Sequence, residues 1–516
     1  MRMGLNRNGQ FNRNIGTAFA FALLLFGFSS FLNGQDSSVL LQWGGIKLEI
    51  NSIGGLGKAN KNAIEFPPNA GKYPLKKLDF WVTGIQSNGD TIAIAGDIFG
   101  GKNYWTEGPF GTINQHIKKS DWNLFSQISF AEIQQHIKSY KNSGYIAPNG
   151  IFNWPAAINI AGFPKVCAAY VDDNQNGFYD FKNGDYPYVF GTQDVLTVAS
   201  DSAQKTPSKA HQTPFDLAVL WYEPTNSDSI PNTILFRLTL CNRTKDTFYG
   251  IKLSSVADFM IGNTMDDQLA THVGFNSVYA YNQQGGDAIY GANWPAVALG
   301  WLSTTASASI YFNNDNSAVQ GNPTTEKEFY HYANGYWRSG KNLGSTGSGL
   351  DATSSTAKFI YPGVTDKSLG LNRNWTNKEG NAGRQTALIS TQGFAMKGVG
   401  CKVVDGFVSV VPGAPDSAAV ENKLKRIHNF YNGQEFTLNP NKLNPNKFVF
   451  YPNPVKSGST IRLDNCTGKN LEIVDLAGKE IYAEKVNTNE IKIPFKPGIY
   501  ILKIEGFVPQ LLQILD

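Results

Sequence analysis

Residues 215–221 read Phe-Asp-Leu-Ala-Val-Leu-Trp, and residues 233–240 read Thr-Ile-Leu-Phe-Arg-Leu-Thr-Leu. Neither run holds a glycine or a proline, and Pro, Asn and Ser cluster between them. β-Branched and aromatic residues bounded by turn formers predict strands, here an antiparallel pair. The same reading extends upstream. Ile46-Lys47-Leu48-Glu49-Ile50 and Thr91-Ile92-Ala93-Ile94 are short apolar runs with period two between Gly, Asn and Pro turns. The fold class they predict is mainly β, a β-sandwich-like central region with a few helices.

Two helices interrupt the pattern. Ser129 and Glu132 form an S-x-x-E capping box, and Phe130, Ile133, Ile137 and Tyr140 then share one face until Gly144. His136 falls off that face and is expected in solvent. The second helix is predicted at Asp416–Asn432. Val420, Leu424, Ile427 and Tyr431 form its apolar stripe, Asp416 or Ser417 caps it, Gly433 stops it, and His428 lies beside the stripe.

The chain of 516 residues has room for two or three domains. Its 52 glycines, 24 prolines and 13% aromatics, against 17% charged residues, describe a loop-rich folded protein rather than a disordered one. A net charge of +4 without a basic run argues against nucleic acid as a partner. The organisation expected is a signal peptide over 1–34, a β-rich region over 35–200, a second over 201–438, a linker over 439–446 and a C-terminal domain over 447–516. Arg2, Arg7 and Arg13 precede the uncharged stretch Ala18–Phe28, which is shorter than the roughly 20 residues of a membrane span. An exported chain meets oxidising conditions, so Cys167, Cys241, Cys401 and Cys466 are candidates for disulfides with the pairing open, or for buried thiols.

The C-terminal domain opens with Phe448-Val449-Phe450-Tyr451-Pro452-Asn453-Pro454-Val455 and closes with Gly498-Ile499-Tyr500-Ile501-Leu502-Lys503-Ile504. Arg462 between Ile461 and Leu463, and Glu472 between Leu471 and Ile473, mark alternating strands, and Asp475–Lys479 reads as a hairpin turn. About seven short strands suit a small Ig-like β-sandwich. This segment resembles the C-terminal sorting domain (type A) of cargo for the type IX secretion system of Bacteroidota. The resemblance makes Tyr451, Pro452, Asn453, Pro454, Gly498 and Tyr500 the sorting signal and the secretion machinery the partner. It also implies passage through the periplasm to the cell surface or the medium.

The central region is similar to a family of large secreted Bacteroidota proteins with the same tail. The resemblance runs through Asp79–Gly84, Glu107–Phe110, Asn153–Ala156, Tyr170–Tyr179, Gly184–Pro187, Gly262–Asp267 and Tyr279–Asn282. It implies a surface role and no particular reaction.

Within that stretch, Asp172-Asp173-Asn174-Gln175-Asn176-Gly177-Phe178-Tyr179-Asp180 places side-chain oxygens at alternate positions with glycine sixth, as at the front of an EF-hand-like loop. Asp172, Asn174, Asn176, the carbonyl of Phe178 and Asp180 would converge on a structural Ca2+ ion. Asn183 stands where the usual glutamate would be, and Asp185 is the candidate substitute. An Asx-rich turn binding its own backbone is the competing reading. Asp258, Asp266 and Asp267 form a second acidic group, read as solvated loop carboxylates with a second cation site as the alternative.

Zinc-helix, nucleophile-elbow, phosphate-loop and dinucleotide motifs are missing from the sequence, and the six histidines are scattered. Tyr330, Tyr332, Tyr336 and Trp337, among Gly and Asn, are candidates for stacking on a glycan. The expectation is therefore a secreted or cell-surface structural or binding protein, adhesion among its roles, and not an enzyme. The alternative is an exported polysaccharide hydrolase, whose carboxylates would come from distant strands and leave no local motif.

Overall fold

Phe215–Pro224 and Thr233–Asn242 do pair antiparallel, with Phe215 opposite Asn242 and Trp221 opposite Phe236. The computed structural model describes residues 37–515 apart from 59, 97, 99–104, 110–124, 158–167, 202–212, 226, 283–285, 352–355, 363–385, 434–448, 452–454, 465, 476–478, 489, 494 and 506–509. The expected signal peptide, Cys167 and Pro452–Pro454 lie outside the described residues.

The pair sits in a nine-stranded sheet ordered Asp267–His272, Ser277–Asn282, Ala296–Trp301, Gly400–Val411, Thr233–Asn242, Phe215–Pro224, Gly191–Ser200 and Thr106–Glu107, with Ser126–Ser129 also on Gly191–Ser200. A second nine-stranded sheet runs Ser38–Trp43, Ile46–Asn51, Ile64–Glu65, Leu75–Gln86, Thr247–Phe259, Thr386–Thr391 and Ala306–Phe312. Thr91–Ala95 joins it beside Leu75–Gln86, and Phe394–Lys397 beside Thr247–Phe259.

Side-chain alternation explains how the layers stack. Phe215, Leu217, Val219 and Trp221 enter the core between the sheets, where Phe80 meets Phe236 at 5.0 Å and Trp221 at 6.0 Å. Ala218, Leu220 and Tyr222 point the other way into a second core. Burial on both faces is why this strand reads as a continuous apolar run. Trp81, the neighbour of Phe80, likewise turns outward and meets Phe329 edge-on at 4.8 Å.

Among the described residues four α-helices cover the outer faces: α1 (Phe130–Ser139), α2 (Asn149–Phe152), α3 (Glu326–Ala333) and α4 (Ser417–Gly433). The capping box of α1 is present, with Ser129 and Glu132 bonding each other's backbone N–H groups. α3 has the same device in Thr325 and Glu328. Ile133 of α1, Ile151 of α2 and Val420, Leu424 and Ile427 of α4 close the second core. Asp416 caps α4 through the Ala419 N–H.

The expected boundary between 200 and 201 falls within one sheet. Gly191–Ser200 before it and Phe215–Pro224 after it are ladder neighbours, and Leu75–Gln86 pairs with Thr247–Phe259. Strands from both sides share both sheets and one core, so the region does not divide there. Cys241 and Cys401, directly opposite on neighbouring strands, form a disulfide across 160 residues. Cys466 is a buried thiol in the tail.

The tail packs a three-stranded sheet (Val449–Tyr451, Thr460–Asp464, Glu490–Lys492) and a five-stranded sheet (Val455–Lys456, Gln510–Leu515, Gly498–Ile504, Asn470–Asp475, Glu480–Lys485) around its own core of Ile461, Leu463, Ile473 and Leu502. No helix among the described residues is long and apolar enough to cross a membrane.

Candidate functional site

Tyr170–Val171 pairs with Tyr186–Pro187, with Val171 opposite Tyr186, and so draws together the two ends of the loop that begins at Asp172. The loop is fastened from beneath. The Tyr179 hydroxyl donates to the Ile151 carbonyl at 2.7 Å and its ring meets Tyr170 edge-on at 5.4 Å. Gly184 has φ +110°, and a Cβ there would lie 2.9 Å from the ring of Tyr140, the residue that follows α1, so only glycine lets the loop close onto that helix end.

Alternate side chains fold inward. The Asp172 carboxylate accepts from the N–H groups of Asn176 (3.1 Å) and Gly177 (2.7 Å), and the Asn176 Oδ1 accepts from Phe178 (2.8 Å). Gly177 takes φ +79° to make the turn. Three amides surround Asp180: Asn174, Asn176 and Asn183 donate to its carboxylate at 2.7, 2.8 and 2.8 Å. An amide turned by half a rotation would present oxygen instead of N–H to the same point. Among the described residues no group of three or more Asp, Glu, His or Cys side chains is placed to hold a metal ion.

Asp185 is fully buried. Its two oxygens accept from the N–H groups of Asp173 and Asp180, each at 2.8 Å. It therefore clamps the base of the loop rather than standing free as the substitute ligand. Burial and then the neighbouring Asp180 charge push its carboxyl up to about 6, while the bonds from Asn183 and the other amides draw Asp180 below the usual carboxylate range. Two adjacent carboxylates among neutral amides make a place that favours a proton or a cation.

Aromatic side chains lie on the same unit. Phe178 is 58% exposed at the loop, and Phe152, 54% exposed, stacks edge-on against loop residue Phe181 at 5.4 Å. Sequence reasoning missed both, because a single exposed Phe carries no periodic signal.

The expected aromatic cluster behaves differently. Tyr332 and Trp337 are fully buried. Tyr332 donates to the Gly321 carbonyl at 2.8 Å and stacks on Phe312, and Trp337 Nε1 donates to Gly349 at 2.9 Å. Their polar edges are satisfied inside the core, so neither offers a face to a ligand. Tyr330 and Tyr336 are half-buried, and Lys358 lies over the Tyr336 ring at 3.6 Å. His136 is also a correction: it is fully buried among Tyr140, Tyr145 and Phe181. Burial holds its imidazole below the usual value.

In the tail, Tyr451 ends a strand and lies opposite Arg462 on the ladder. Gly498 starts the strand that carries Tyr500, whose hydroxyl donates to the Lys496 carbonyl at 2.9 Å.

Residues 449–508 match the secretion system C-terminal sorting domain. The chain is thus exported through type IX secretion to the cell surface or the extracellular space, and the tail engages that machinery. Over 58 residues the chain is 38% identical to an ulvan lyase of Nonlabens ulvanivorans, a match covering 10% of this chain and 11% of the lyase. The chain thus spans about a tenth of the length of that curated relative. Among solved structures, a polysaccharide lyase is similar at a TM-score of 0.26 and 7% identity, covering 94% of this chain and 47% of the other. The ulvan lyase match stands against the expectation of a protein that is not an enzyme. The missing motifs do not weigh against this, because carboxylates gathered from separate strands leave no local pattern.

Proposed function

We propose that the sandwich over 38–433 is the passenger that the sorting tail delivers outside the cell, and that it engages extracellular polysaccharide there through the Asp172–Asp185 unit. The observation that carries this reading is an oxygen-lined loop bearing outward aromatic side chains, Phe178 on it and Phe152 against it. Calcium held by Asp172, Asn174, Asn176, the Phe178 carbonyl and Asp180 would fix the loop, with Asp185 as the buried clamp behind it. Exposed aromatic faces supply the apolar contact that sugar rings stack on.

Retention of the full chain on immobilised polysaccharides, ulvan among them, tests this. Phe178→Ala is expected to weaken retention by about tenfold, which is one aromatic contact of roughly 1.4 kcal/mol. Unchanged retention would remove the loop from the binding surface.

A second reading is favoured by the ulvan lyase match: the bound polysaccharide is also cleaved. Release of unsaturated or reducing ends from retained polysaccharide would support it, and intact polymer after long incubation would oppose it.

A further inference from the structure

One end of the core between the sheets holds polar groups that the described protein atoms leave unsatisfied. Asp267 opens the strand Asp267–His272, Asn282 closes the strand Ser277–Asn282, and the two are directly opposite on the antiparallel ladder. Residues two apart on a strand share a face. Leu269 and Ala280, two positions from Asp267 and Asn282, belong to the inter-sheet core, so both polar side chains point into its end. Asp267 is 4% exposed and Asn282 2%.

The Asp267 Oδ2 accepts from the Ile261 N–H at 3.0 Å. Its Oδ1, both amide atoms of Asn282 and the Asp266 Oδ1 are buried with no hydrogen-bond partner among the described residues. Asp287 is the third carboxylate. It accepts from the N–H groups of Asn263 (2.8 Å), Ile289 (2.8 Å) and Tyr290 (2.6 Å), and so joins the segments on either side of the ladder end.

Each unpartnered buried polar group costs about 1–3 kcal/mol, and folded proteins keep few of them. Here a carboxylate oxygen and a whole amide stand opposite each other on the ladder, and the next residue along, Asp266, has a buried oxygen without a partner as well. Water would bond some of these atoms and leave the like charges uncompensated. A hard cation accepts carboxylate and amide oxygens together and neutralises the group; Ca2+ tolerates the irregular geometry of such a set, whereas Mg2+ demands a near-ideal octahedron. We propose that the Asp267 and Asp266 Oδ1 atoms and the Asn282 amide oxygen hold a calcium ion completed by water at this end of the core, a site separate from the Asp172 loop. The ion would lock the loop segments at Asn263 and Asp287 onto the sheet.

The test is a count of bound calcium by equilibrium dialysis on the full chain, in parallel with Asp180→Ala, which disables the loop. The Asp180→Ala chain is expected to retain one ion, and adding Asp267→Asn to it to weaken that binding by at least about tenfold, the lower end of what even outer-shell changes do to metal sites. Asn282→Asp, which adds an anionic ligand of the same size, is expected to tighten it. An Asp180→Ala chain that binds no calcium, or an ion indifferent to both changes, overturns the proposal. An ion present in the wild type and untouched by Asp180→Ala would support this site while refuting the loop.

Discussion

Asp172, Asn174, Asn176 and Asp180 were legible because an oxygen-bearing side chain at every second position is a local pattern. The burial of His136, Tyr332 and Trp337 was not, because their partners come from other segments: Tyr145 and Phe181 for His136, Gly321 and Gly349 for the other two. Asp194 shows a residue-scale consequence that no sequence pattern announces. It is buried, accepts from the Phe190 and Gly191 N–H groups at 2.8 and 2.9 Å, and burial pushes its carboxyl up to about 7. A carboxyl raised in the folded state holds a proton that the unfolded chain has released. Its contribution is therefore full below the unfolded value near 4 and is lost as pH rises through about 7. Asp194→Asn does not titrate. Relative to wild type, the variant should gain about 2–3 kcal/mol between pH 5 and pH 8, read from urea midpoints. A difference independent of pH would mean that Asp194 is ionised throughout.

At the scale of elements, period and capping signals located strands and the two longer helices, while pairing stayed hidden. Nothing in Leu75–Gln86 names Thr247–Phe259 as its neighbour, since that choice is made by the shared core and not by either segment. The helix α3 was missed although Thr325 and Glu328 carry the same capping box as Ser129 and Glu132, because its eight residues are too few for a clear apolar stripe. The position of α4 depends on more than its stripe. The Tyr431 hydroxyl donates at 2.7 Å to Asp405, whose carboxylate also takes both arms of Arg237 at 2.7 and 2.8 Å, and His428 bonds the Phe275 carbonyl at 3.0 Å. Tyr431→Phe removes one hydrogen bond to a charged group and should cost about 1.5–3 kcal/mol in chemical denaturation. A cost near zero would show that Arg237 alone satisfies Asp405 and that α4 is held by its apolar face.

For the whole molecule, the Cys241–Cys401 bridge ties strands 160 residues apart and suits a chain that works outside the cell. Replacing both cysteines by serine should lower stability by about 2–5 kcal/mol, and a reductant should then have no further effect on melting. Deleting residues 448–516 should leave the passenger folded in the periplasm, because the tail has its own core. Undiminished export of the truncated chain would contradict the sorting role of Tyr451, Gly498 and Tyr500.

Polysaccharide retention of the wild-type chain and of Asp180→Ala, each across a calcium titration, joins delivery, loop and ligand in one readout. Retention by the wild type should rise with calcium over the micromolar to millimolar range typical of extracellular and sensor-type loops. The Asp180→Ala chain should stay at the calcium-free level. Equal retention by both chains at every calcium concentration would contradict a cation-braced binding loop.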